Sequence, residues 1–193
     1  MEGAPVTDIA LALALGVALA AAAGLRVFIP LLLASAAAHF GYFEPSAGFA
    51  WLASWAAMAT FTVAAVVEVA AYYLPGVDHA LDLITTPLAL AAGVLLVAAP
   101  LGELSPMLRW SFAVITGAGA AGIMQSASAL LRLKSTATTG GLGNPLVATT
   151  ELGGSLLLSL LALLLPLLAL VLLVLMVWGI LAVRRKLRRR EAG

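Results

Sequence analysis

Long runs of Ala, Leu, Val and Gly fill nearly the whole chain, and they are broken only where Pro, Gly or a charged residue intervenes. The runs reach or exceed the ~20 residues that cross a bilayer core as a helix. The first covers 9–38. Taken as one straight helix it would be ~45 Å long, so Gly24, Arg26 and Pro30 predict a break inside it, giving a span plus a half-helix or one broken helix. Gly16, Ala20 and Gly24 fall on one face and predict close packing against another helix. The leader carries Glu2 and Asp8 without Lys or Arg, so the run reads as a retained helix rather than a signal peptide.

His39 to Ser46 reads as a loop, and a second helix follows over 49–74. Trp51 and Trp55 at one end, with Tyr72 and Tyr73 at the other, read as two interfacial belts. Glu68 then lies ~6 Å inside the second belt, near the edge of the hydrocarbon. Pro75 and Gly76 predict a turn and Asp78 an N-cap. Asp78 and Asp82 share a face of the next helix. That helix, 78–99, is expected to break at Thr86 and Pro87, with Pro87 starting a half-helix.

A clean span is predicted over 107–131, with Arg109 and Trp110 at one end and Arg132 and Lys134 at the other. Its Gly117 to Gly122 segment suits close helix approach, and Gln125, Ser128 and Arg132 share a face. Ser135 to Pro145 reads as a polar loop, either a surface turn or backbone lining a cavity. Asn144 is expected to cap the helix over 145–165, where Glu151 profits from the helix dipole. Pro166 separates this from 167–183, because one helix across both would be ~58 Å long.

Composition sharpens this picture. The chain has 193 residues, 63% hydrophobic and 10% charged, against about 25% charged in soluble domains. Residues 1–183 therefore form one transmembrane domain: an all-α polytopic bundle of five to six membrane helices, some broken or halved. Six of the ten basic residues lie in the tail, 184–193. They mark the C-terminus as cytoplasmic, and contact with anionic lipid headgroups is a second reading of the tail. Arg132 and Lys134 mark a cytoplasmic end too, which requires an even number of crossings between them and the tail and favours a hairpin at Pro166. The net charge of +1 gives no field for nucleic acid. There is no Cys, and the two His are far apart, so no metal-ligand spacing exists. No phosphate loop, zinc helix or nucleophile elbow occurs. Neither enzyme chemistry nor a cofactor is expected.

Gly24-Leu25-Arg26-Val27-Phe28-Ile29-Pro30, Glu68, Pro75-Gly76-Val77-Asp78-His79, Asp82, Thr86-Pro87, Thr139 to Pro145 and Glu151 follow one another in an order that resembles the bacterial membrane family called domain of unknown function 4126. The resemblance spans nearly the whole chain. It implies a multi-pass protein of the cell inner membrane and brings no activity with it.

The few ionisable groups are the candidates for function. Arg26 inside an apolar run is the most expensive, about 2.5–3.5 kcal/mol at a helix centre on insertion scales. It is expected to pair with Glu68 or another acid, with Glu68, Asp78 and Asp82 close by. Histidine in general titrates near neutral pH, so His79 reads as a proton-handling group or an interfacial one. Asn144 and Glu151 are the next candidates for the same cavity. Small-solute or ion transport is the leading expectation, because Gly- and Pro-broken segments mark midplane sites in transporters. The alternative is a membrane scaffold, or a homo-oligomer, assembled through the small-residue faces at Gly16 to Gly24 and Gly117 to Gly122.

Overall fold

A computed structural model describes residues 6–74, 77–175 and 178. Every regular element among them is helical. In order they are α1 (Val6–Ala23), α2 (Phe28–His39), a 3₁₀ segment (Ala47–Ala53), α3 (Trp55–Tyr72), α4 (Val77–Ala98), α5 (Pro106–Phe112), a π-helical stretch (Ala113–Ala118), α6 (Gly119–Thr139), α7 (Asn144–Leu164) and α8 (Pro166–Leu175). Four stretches are long and apolar enough to cross a membrane: Trp55–Tyr72, Leu81–Ala98, Pro106–Thr139 and Asn144–Leu164. The protein is a helical membrane bundle.

The expected break falls at Gly24 to Val27. Its consequence is that α1 and α2 form an antiparallel pair. Ala12 and Leu13, early in α1, pack against the cluster that holds Val97 and Ala98 at the end of α4. At the end of α2, His39 Nδ1 lies 2.8 Å from the Ala53 carbonyl, and Ser46 N–H donates to Ala99 O at 2.8 Å. Both open ends of the pair therefore sit at one end of the bundle, and the tip points toward the other. Glu68 meets that tip about 20 Å along α3 from Trp55. Non-helical backbone is tolerated at such depth only where protein buries it.

Three boundaries differ from the sequence expectation. α3 starts at Trp55 instead of residue 49, because the Ser54 side chain accepts the Ala57 N–H at 3.1 Å and caps it there. α4 runs unbroken through Pro87 for 22 residues. Pro87 withdraws the amide that would meet the Leu83 carbonyl, a loss that membrane helices tolerate where neighbouring helices pack against them, and the Thr86 hydroxyl bonds back to the Asp82 carbonyl at 2.6 Å. α6 continues to Thr139, so much of the expected polar loop is helix, and the turn shrinks to Gly140 to Gly143. Gly140 and Gly141 take φ of 62° and 92° there, which residues with a Cβ rarely adopt.

The core is built from small residues. Gly93 of α4 and Gly117 of the π stretch touch backbone to backbone, and a Cβ on Gly93 would fall 2.5 Å from the Gly117 carbonyl oxygen. α7 and α8 are separated by Leu165 alone (φ −141°, ψ 69°). Leu158 packs against the buried cluster of Ala21, Met124 and Leu173, and Ser155 reaches Ala22 O at 3.0 Å. α8 thus folds back along α7, since a straight helix would carry Leu173 about 27 Å beyond Ser155. The basic tail, 184–193, lies outside the described residues.

Candidate functional site

The site begins with two unpaired backbone amides. Gly24 N–H and Arg26 N–H still bond back into α1, to Ala20 or Ala21 and to Ala22. The Val27 and Phe28 amides open α2 and have no partner inside it. Glu68, on α3, takes both: Oε1 accepts Val27 N–H at 2.8 Å and Oε2 accepts Phe28 N–H at 3.0 Å. A buried carboxylate from another helix therefore does the work of an N-cap. Gly24 is required just before it, because a Cβ there would meet the Met124 Cβ at 2.7 Å and run into the Ala121 carbonyl.

Arg26 is 1% exposed. Its Nη2 donates to Ala148 O at 3.1 Å and stands 3.2 Å from Glu151 Oε2. The acid that Arg26 meets is Glu151 and not Glu68, since both Glu68 oxygens serve the α2 amides. Arg26 Nε and Nη1 are buried without a hydrogen-bond partner.

Glu151 is shared. Arg132 grips it with a fork, Nε to Oε1 at 3.1 Å and Nη2 to Oε2 at 2.6 Å, and the Ser128 hydroxyl donates to Oε1. Arg132 Nη1 pairs with Asp82 on α4. Glu151 is the eighth residue of α7, beyond the first turn where a helix dipole acts, so the arginines rather than the dipole hold it. The order Arg26, Glu151, Arg132, Asp82 alternates in sign, which is how buried charges avoid being uncompensated.

Tyr72 stands between the arginines. Its ring centroid is 3.8 Å from Arg26 Cζ and 4.2 Å from Arg132 Cζ, within cation–π range. Its hydroxyl donates to Asp82 Oδ1 at 3.0 Å and shares a 3.0 Å hydrogen bond with Thr85, to which Gln125 Nε2 donates at 3.4 Å. Tyr72 is 4% exposed, so it is a member of the network and not of an interfacial belt. Tyr73, 41% exposed, stays at the surface.

The structure thus joins Arg26 to Glu151 directly, brings Asp82 to them through Arg132, and sets Glu68 beside them. α7 starts at Asn144 itself, one residue earlier than expected, and Asn144 Nδ2 donates to Thr136 Oγ1 at 3.1 Å, tying α7 to the end of α6. The side chains of Asp78 and His79 lie outside the described residues. Arg132 and Tyr72 are the members that sequence reasoning assigned elsewhere. The signal for Arg132 was the shared face of Gln125, Ser128 and Arg132, all three of which are buried. Among the described residues no group of three His, Cys, Asp or Glu is placed to hold a metal ion.

A cavity of about 630 Å³ opens between α3 and α4, with Glu68 and Thr85 in its lining beside Phe28, Val63 and Ile84. It reaches the edge of the network, while Arg26 stays sealed behind it.

A family model described as Domain of unknown function (DUF4126) matches residues 13–186. No curated protein and no solved structure matches the chain.

Proposed function

We propose, for a chain that belongs to the domain-of-unknown-function family DUF4126, that this membrane protein is a small-solute or ion transporter or channel working through the Arg26–Glu151–Arg132–Asp82 network. The observation that carries the reading is the network itself: four charged side chains alternating in sign, joined across the α1–α2 tip and three further helices. Charges within membrane helices are expensive and mark pathways and relays for ions or substrates. A broken helix whose tip reaches such a group is the setting in which transporters bind their cargo.

The scaffold alternative has less of its small-residue surface free. Gly16 packs against Val97, Gly24 against Ala121 and Met124, and Gly117 against Gly93, so these three glycines are used inside the chain, while Gly119 stays open. The end of the bundle that holds Arg132 and Lys134 is taken as cytoplasmic, in a multi-pass arrangement across the cell inner membrane.

The test is flux into proteoliposomes, screened over protons, simple ions and small organic anions. At least one should move faster than through empty liposomes. If none does, the transport reading fails.

A further inference from the structure

We propose that the groove between α3 and α4 is a binding site for a bilayer-borne amphiphile with a protonated amine head and one hydrocarbon chain, and that Glu68 is its counter-ion. This goes beyond the transport reading and stands without it, because the groove binds whether or not the network moves a solute.

The first argument is access. The cavity, about 630 Å³, is walled by Phe28, Val63, Val67, Leu81, Ile84 and Leu88. Val63, Val67 and Ile84 are 64%, 60% and 58% exposed. They belong to two helices long and apolar enough to cross a membrane, so the mouth of the groove faces hydrocarbon. What enters it comes from the lipid phase and carries a chain to cover those walls.

The second argument is charge. Arg26 and Arg132 make their ion pairs with Glu151 and Asp82 and bear on Glu68 only as nearby charges. Among the described residues Glu68 has no ion pair. Its partners are two backbone amides at a helix N-terminus, which supplies a positive partial charge of about half a unit. A carboxylate offers about four acceptor positions, so two remain for a donor arriving through the groove. An ammonium head completes the charge and fills those positions. An alcohol head gives a hydrogen bond without the charge, and a carboxylate head sets like against like. The expected order of affinity is amine, then alcohol, then carboxylate.

The experiment uses the full chain purified in a non-ionic detergent, with native mass spectrometry of dodecylamine, dodecanol and dodecanoate at equal concentration. Wild type should retain one dodecylamine about tenfold more tightly than dodecanol, the margin of one charge-assisted hydrogen bond, with dodecanoate weakest. Glu68→Gln should bring dodecylamine down to the level of dodecanol. Ala64→Trp, in the groove wall with Glu68 intact, should weaken both, and it decides the matter if Glu68→Gln does not fold. Equal retention of all three by wild type would reduce the groove to a plain lipid contact and overturn the proposal. So would undiminished dodecylamine binding in Ala64→Trp, or a dimer that excludes all three probes and assigns the groove to a second copy.

Discussion

Glu68 Oε1 accepts the Val27 N–H at 2.8 Å across 41 residues of chain, so one carboxylate on α3 fixes where α2 begins. Removing it leaves two buried amides without acceptors. Glu68→Ala is expected to destabilise the protein by about 1–3 kcal/mol, and Glu68→Gln, which keeps one acceptor oxygen, by less. Thermal unfolding in detergent measures the stability. Amide hydrogen exchange should quicken at Val27 and Phe28 specifically.

The Arg132–Glu151 fork is the most tightly bonded part of the network. Breaking a buried pair from one side costs about 3–5 kcal/mol, because the other charge is left uncompensated. Arg132→Met alone should therefore be far more damaging than Arg132→Met combined with Asp82→Asn, which removes one acid together with the arginine and leaves Arg26 and Glu151 paired. Unfolding midpoints of the single and double variants test this, and equal losses would contradict it.

Tyr72 contributes a ring and a hydroxyl, and the two can be separated. Tyr72→Phe keeps the ring between the guanidiniums and loses only the bonds to Asp82 and Thr85, for about 1 kcal/mol. Tyr72→Leu also loses two cation–π contacts and should cost about 1–2 kcal/mol more. The comparison is again made by thermal unfolding.

Close backbone approach predicts a sharp contrast among glycines. Gly24→Ala drives a Cβ into α6 and should lower stability by about 1–3 kcal/mol. Gly119→Ala meets nothing within 4 Å and should be neutral or stabilising, since Ala suits a helix better than Gly by about 1 kcal/mol. Folded yield and unfolding midpoint check both.

How much of this could be read from the residues follows from the range of the physics. The break at Gly24 to Val27 was legible because Gly and Pro act on their own backbone. Arg26 was legible as a group needing a partner, because its cost in an apolar run holds whatever the fold. Which acid it meets was not, since Glu151 lies 125 residues further on and no local pattern links them. Tyr72 suits a membrane interface and a gap between two guanidiniums equally well, and only packing chooses. Pro87 reads as a helix start by its ring, yet α4 passes through it once tertiary packing is in place. Arg132 was legible as a charge near a helix end, but its inward direction depends on where Asp82 and Glu151 arrive.

Flux through the network is the central claim, and single-residue variants reconstituted into liposomes test it most directly. For the solute that wild type carries, Arg26→Ala and Arg132→Ala, each confirmed as folded and inserted, should fall to the rate of empty liposomes, while Leu142→Ala at an 89% exposed position should keep the wild-type rate. If both arginine variants carry the solute at the wild-type rate, the network is not the pathway and the account is wrong.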